Sequence, residues 1–151
     1  LKDQSPPIIR GNASEIMALA GYSSVTKGPE STSSSADALH AARELALHTG
    51  AAVLVTGRTD YSTDGRQVTA TENGHAMMSR VTGVGCSMGA LSAACAAVSP
   101  TPLQAAVSTA VLMGIAGEMA FEQSPSPGSF AVSLLDSLYS LSPEGLMCLP
   151  E

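Results

Sequence analysis

Val81-Thr82-Gly83-Val84-Gly85-Cys86-Ser87-Met88-Gly89 sets two glycines around one small residue and follows them with a cysteine. Behind it comes a run of helix formers: Ala90, Leu91, Ala93, Ala94, Ala96 and Ala97. The pattern is a glycine loop opening into a helix. The first turn of a helix leaves backbone N–H groups without intrahelical partners, and the helix dipole adds partial positive charge there. Gly83 and Gly85 carry no Cβ, so an anion can approach that backbone closely. Cys86 stands in the same first turn, where the field favours thiolate over thiol. The segment therefore offers an anion cradle and a candidate base. The competing reading is a Gly-rich turn before a buried helix with an inert cysteine.

Upstream, Ala51-Ala52-Val53-Leu54-Val55 is an uninterrupted apolar run of strand length, as expected of a parallel strand covered on both faces. It ends in Thr56-Gly57. Ligands of parallel α/β sheets bind at the carboxyl ends of strands, so the Thr56 hydroxyl is either a ligand contact or a partner for local backbone. Tyr61 to Thr63 and Gln67 to Thr71 flank Asp64-Gly65, a hairpin signal. Asn73-Gly74 then turns the chain into His75-Ala76-Met77-Met78, the last piece of this meander. His75, beside a turn, reads as structural.

Further upstream, Pro6-Pro7-Ile8-Ile9 reads as a short buried strand running into Arg10-Gly11-Asn12-Ala13-Ser14-Glu15. Asn12 is a good N-cap and Glu15 stands three residues later, as in a capping box. The helix continues through Ile16, Met17 and Leu19 to Gly21. A carboxylate at a helix start can also hold a hydrated cation. Arg10 on the strand-to-helix turn suits phosphate, because its planar fork matches phosphate oxygens. Tyr22 to Ser35 is a polar loop. Ser35 caps a helix from Ala36 to about Thr49, which Gly50 closes. His40 and His48 on that helix have no metal partner at helical spacing.

Downstream, Gly85, Gly89, Ala93 and Ala97 recur every four residues, a ridge suited to close helix packing. Ser99-Pro100 stops that helix, and Thr101-Pro102 starts another as cap and N1 proline. This second helix is apolar on most faces. Gly114 and Gly117 each lower its intrinsic stability by about 1 kcal/mol relative to Ala, which points to a backbone or flat ligand lying close. Ser124 to Gly128 reads as a linker, and Ser129 caps a last amphipathic helix. Gly145 to Leu149 is a short apolar end without assignable chemistry.

Composition bounds the function. The chain has 151 residues, enough for one domain with a core. Hydrophobic residues make up 44%, but aromatics only 3% with no Trp, so the core must be built from Ala, Val, Leu, Ile and Met. Net charge is −6 with no basic cluster, which argues against a nucleic-acid surface. Cys86, Cys95 and Cys148 lack metal spacing and read as reduced thiols of a cytoplasmic protein. The apolar run from Ala105 to Gly117 is too short to span a bilayer, so no membrane partner is expected. Leu1 in place of an initiator Met suggests a piece of a longer chain.

Arg10 to Glu15 after one strand, Thr56 after another, and Gly83 to Cys86 before a helix together make a phosphoryl-transfer constellation. Arg10 and Thr56 would bind a nucleotide's phosphates, Glu15 would act through Mg²⁺, and the glycine loop would hold the charge on the moving phosphoryl group. Asn12-Ala13-Ser14-Glu15 resembles the N-x-x-E motif of the ribokinase-like kinases. Thr82-Gly83-Val84-Gly85-Cys86 resembles their anion-hole motif, which usually ends in Asp. The Cys variant, with Pro7 to Glu15 and Asn73-Gly74-His75, resembles the hydroxyethylthiazole kinase family across essentially the whole chain.

That resemblance implies an α/β fold, the ribokinase-like three-layer α/β/α sandwich with a mostly parallel central sheet. It implies that Arg10 and Thr56 contact ATP and that Gly83 contacts the thiazole. It implies that Gly83, Val84, Gly85 and Cys86 form the anion hole, with Cys86 where the general base sits. Mg²⁺ is expected near Glu15, with Asn12 as a second candidate. Family members carry a substantial part before the equivalent of Pro7, so residues 1–151 read as the C-terminal portion of one kinase domain. The expected partners are ATP, a thiazole alcohol, the N-terminal portion and two further copies in a homotrimer. Other small-alcohol kinases of this fold, for a hydroxymethylpyrimidine or a sugar, remain the nearest alternative. A cysteine hydrolase built on Cys86 and His75 and a non-catalytic nucleotide-binding subunit are the rivals from other classes.

Overall fold

A computed structural model describes residues 6–22 and 38–142. The expected loop from Tyr22 onward, the Ser35 cap, the apolar end from Gly145 and Cys148 lie wholly or mostly outside these residues. The chain forms two compact units: one comprises residues up to Glu72 together with Gly89–Ala110, the other Asn73–Met88 together with residues from Val111 on.

The first unit is organised on a four-stranded sheet of order β1-β2-β3-β4. Its strands are β1 (Ile8–Asn12), β2 (Ala52–Thr56), β3 (Asp60–Thr63) and β4 (Val68–Thr71). The first two pair in parallel, and the others add on antiparallel. The mostly parallel sheet expected from the sequence is thus, among the described residues, one parallel pair that carries antiparallel strands of the expected meander. The apolar run at Ala51 became the buried centre of the sheet, with Val53, Leu54 and Val55 fully buried. The Asp64-Gly65 hairpin closes through Asp64, whose carboxylate accepts from the N–H groups of Arg66 and Gln67 at 2.8 and 2.7 Å. These backbone donors hold its pKa below the ordinary carboxylate value.

Strand β1 lies two residues later than the local pattern suggests. Pro6 and Pro7 have no N–H to give a ladder, whereas the Pro7 carbonyl accepts from Ala52 N–H at 3.0 Å. Pairing with β2 then recruits Arg10, Gly11 and Asn12, so Arg10 sits inside the strand opposite Leu54 rather than on the turn after it. Helix α1 (Ala13–Leu19) follows at once, and α2 (Leu39–Thr49) precedes β2. Both cover the sheet face that carries Ile9, Val53 and Val55, where Ala13, Ile16, Ala42, Leu45 and Ala46 complete a core of small aliphatic side chains. The left-handed Gly50 closes α2 as expected, its N–H donating to Ala46. His40 and His48 are both exposed on α2.

The other described elements are helical: a short 3-10 helix (Ala76–Arg80), α3 (Val84–Val98), α4 (Pro102–Gln123) and α5 (Pro127–Ser140). The His75–Met78 piece is therefore the start of a 3-10 turn, not of a strand. The last helix begins at Pro127, with Ser126 as its N-cap instead of Ser129. Proline fits the first helical position because that N–H has no partner anyway, so the helix absorbs half of the expected linker. Thr101 caps α4, its hydroxyl accepting from Gln104 N–H at 3.2 Å. At 22 residues α4 is longer than its uncharged apolar run, and by length and hydropathy alone it could cross a membrane. Half of its apolar window is buried inside the protein. Ala105, Ala106, Ala110, Met113, Ala116 and Ala120 are its buried hydrophobic side chains, as in a core helix.

Candidate active site

In the first unit the strand register sorts the side chains. Arg10 pairs with Leu54 and Asn12 with Thr56. Leu54 pairs with Ser62, and Asp60 with Thr71. Side chains alternate along a strand and paired residues share a face. Arg10, Leu54, Thr56, Asp60 and Ser62 therefore share the face opposite the α1–α2 core. Thr56 and Arg10 belong to adjacent parallel strands near their carboxyl ends, both half-buried. A planar cation and a hydroxyl so placed suit the oxygens of a phosphate chain.

Asn12 ends β1 and turns its side chain to α1. Its Oδ1 accepts from Glu15 N–H at 3.0 Å and from the Ser14 hydroxyl at 2.7 Å, while Glu15 Oε2 accepts from Asn12 N–H at 2.7 Å. The capping box read from the sequence is present in full. Gly11 makes room for it, since a Cβ there would come within 3.0 Å of the Glu15 Cβ and Oε2 atoms. With Oδ1 accepting twice, Asn12 acts as the holder of Glu15. Among the described residues no three His, Cys, Asp or Glu side chains gather to hold a metal ion. One anchored carboxylate suits a hydrated divalent cation whose other ligands are water and phosphate, the usual way of binding Mg²⁺.

Sequence reasoning passed over Asp60. Its Oδ1 accepts from Gly57 N–H at 2.9 Å, closing the three residues between β2 and β3. Burial pushes its pKa above the ordinary value, partly offset by the Gly57 hydrogen bond. No local signal marks it: Asp60 opens the strand after Thr56 on the same face, and only the register shows that.

In the second unit, Gly83 adopts φ +99°, a left-handed conformation that favours glycine. A Cβ there would meet nothing within 4 Å, so backbone conformation and not space selects glycine. The first intrahelical bond of α3 runs from Ser87 N–H to the Gly83 carbonyl at 2.9 Å. The N–H groups of Val84, Gly85 and Cys86 precede it and point out of the helix end. Cys86 is exposed in this first turn, beside the helix-end N–H groups.

The approach to the loop is anchored on α4. Asn73 Nδ2 donates to the Val111 carbonyl at 2.9 Å and Gly74 N–H to Glu118 Oε1 at 2.6 Å. His75 accepts from Met77 N–H through Nδ1 at 3.1 Å and stacks on Phe121 with ring centroids 3.5 Å apart. His75 is thus the structural residue its place beside a turn suggested, which leaves the hydrolase pairing with Cys86 without support. The close neighbours foreseen at Gly114 and Gly117 are the Asn73 amide and the Met78 thioether.

Comparison with known proteins points to one family. Residues 1–144 match the Hydroxyethylthiazole kinase family. The chain is 96% identical over 147 residues to a hydroxyethylthiazole kinase of Akkermansia muciniphila, covering 97% of this chain and 54% of that protein. It is 52% identical over 141 residues to one of Granulibacter bethesdensis, covering 93% of this chain and 52% of that protein. The solved structure of a hydroxyethylthiazole kinase protein from Pyrococcus horikoshii superimposes with a TM-score of 0.80 at 37% identity, over 95% of this chain and 53% of that one. The chain spans about half the length of the curated relatives it matches. The α/β fold is therefore the ribokinase-like one, and with its N-x-x-E box and its Thr-Gly-Val-Gly-Cys loop the chain belongs to the hydroxyethylthiazole kinase family.

Proposed function

We propose that the protein carrying this chain transfers the γ-phosphoryl group of ATP to the primary hydroxyl of 4-methyl-5-(2-hydroxyethyl)thiazole, a salvage step of thiamine biosynthesis. Residues 1–151 are the C-terminal portion of its single kinase domain, working with an N-terminal portion in a cytoplasmic homotrimer. The observation that carries this reading is the placement of Arg10 and Thr56 on one sheet face, near the carboxyl ends of two parallel strands and beside the anchored Glu15.

In this reaction Arg10 and Thr56 hold the phosphate chain, and Gly83 borders the thiazole. The alcohol oxygen forms a bond to the γ-phosphorus while the bond from that phosphorus to the β–γ bridging oxygen breaks, leaving ADP. The N–H groups of Val84, Gly85 and Cys86 stabilise the charge on the moving group, because they are already oriented and need no reorganisation. Cys86 takes the hydroxyl proton. Mg²⁺, when bound, neutralises phosphate charge. Glu15 orients its water shell, and Asn12 keeps Glu15 in place.

Arg10→Lys in the full-length protein tests the nucleotide assignment. A bidentate fork becomes a point charge, so the KM for ATP is expected to rise about tenfold, the equivalent of about 1.4 kcal/mol, with the thiazole KM little changed. An unchanged ATP KM removes Arg10 from the site. Glu15→Gln keeps an acceptor for Asn12 N–H but loses the charge. Thermal unfolding should show a nearly unchanged Tm, while the Mg²⁺ concentration for half-maximal rate rises markedly. A lower Tm with ordinary Mg²⁺ dependence would make Glu15 a cap and nothing more.

A further inference from the structure

Thr56 is the last residue of β2, and its hydroxyl can serve a phosphate only if the following peptide is fixed. The connection to β3 is short: Gly57, Arg58 and Thr59, with Gly57 and Arg58 exposed. An exposed glycine directly after the working residue is the place where such a turn would drift, because glycine has the widest choice of backbone angles. Gly57 N–H donates to Asp60 Oδ1 at 2.9 Å, and the Thr59 hydroxyl donates to Glu72 Oε1 at 3.2 Å. The first reaches the residue next to Thr56. It is also the shorter of the two. The carboxylate is itself held, because Asp60 is half-buried and its backbone lies in the β3–β4 ladder opposite Thr71. Burial works against its charge, so it is a costly group for merely closing a turn.

We infer that Asp60 is a positioning residue: by gripping Gly57 N–H it fixes the peptide after Thr56 and so aims the Thr56 hydroxyl at the bound phosphates. This inference rests on the reading that Thr56 contacts ATP. Asp60 itself touches no substrate in this scheme.

The test compares Asp60→Ala, Asp60→Asn and Thr56→Ala in the full-length protein. Asp60→Ala removes the acceptor and should raise the ATP KM about three- to tenfold, with kcat and the thiazole KM within about twofold. Asp60→Asn keeps an oxygen in place for Gly57 N–H and should restore the ATP KM to within about twofold of wild type. Should Asp60→Ala fail to fold, Asp60→Ser replaces it, since its hydroxyl is one bond too short to reach Gly57 in the same geometry. An ATP KM unchanged in Asp60→Ala, while Thr56→Ala raises it, overturns the inference and leaves the ATP site standing; a fall in Tm alone would then be the structural role. Equal impairment in Asp60→Asn and Asp60→Ala also overturns it, because charge rather than the acceptor would be what matters. No effect of Thr56→Ala on the ATP KM overturns the ATP-site reading and this inference together.

Discussion

Cys86→Ser in the full-length protein should lower kcat by about 10²–10⁴-fold, the usual contribution of a positioned general base, while the KM for ATP stays near wild type. Cys86 lies in the exposed first turn of α3, beside the amides of Val84 and Gly85. Serine keeps the size and the hydrogen-bonding capacity, so the loop and its N–H groups are undisturbed, but a hydroxyl does not ionise in the working range. Phosphate binding should survive because Arg10, Thr56 and backbone amides supply it. Cys86→Asp supplies a carboxylate already ionised at neutral pH, and it restores the residue the wider ribokinase-like pattern uses. It should retain kcat or exceed it. A serine variant with wild-type kcat, under single-turnover conditions that show chemistry to be slow, would leave catalysis to the amides and remove Cys86 as the base.

Gly114→Ala should destabilise the protein by about 2 kcal/mol, although helix propensity alone favours Ala over Gly by about 1 kcal/mol. The opposing terms are larger. A Cβ at Gly114 would overlap the Asn73 side-chain amide, and overpacking of this kind costs about 1–3 kcal/mol. The Asn73 amide cannot simply swing away, because its Nδ2 is bonded to the Val111 carbonyl one turn earlier on the same helix face. Losing that bond adds about 1 kcal/mol. Chemical denaturation should show the fall, and Asn73→Ala in the same chain should recover most of the overpacking part, since the obstructing group is gone. A Gly114→Ala variant as stable as wild type would mean that the segment from Asn73 to Met78 is not clamped to α4.

What could be read from the sequence, and what could not, divides along physical lines. Asn12 and Glu15 were legible because a capping box is a contact across three residues, complete within the local chain. The Gly83–Cys86 loop and the Thr101 cap were legible for the same reason. The start of β1, the placement of Arg10 within it and the presence of Asp60 beside Thr56 depend on which strands pair and in what register; for β1 that is set by partners about forty residues away, and for Asp60 by the ladder between β2 and β3. Ser126 displaced Ser129 as the cap because a proline that stops a helix from inside also starts one well. The glycines of α4 announced a close neighbour, but identifying it required Asn73 and Met78 to be placed against them. The thiazole contact of Gly83 comes from family resemblance alone, and it stands as a proposal together with the Mg²⁺ role of Glu15, the ATP contacts of Arg10 and Thr56 and the base role of Cys86.

The central claim is phosphoryl transfer from ATP to a thiazole alcohol, and ³¹P NMR of the reaction mixture tests it most directly. The full-length protein is supplied with ATP, Mg²⁺ and 4-methyl-5-(2-hydroxyethyl)thiazole. The expected spectrum gains a phosphate-monoester resonance in step with ADP, and that resonance appears only when the alcohol is present. ADP with inorganic phosphate alone, or a monoester formed only when hydroxymethylpyrimidine or a sugar replaces the thiazole, would contradict the assignment.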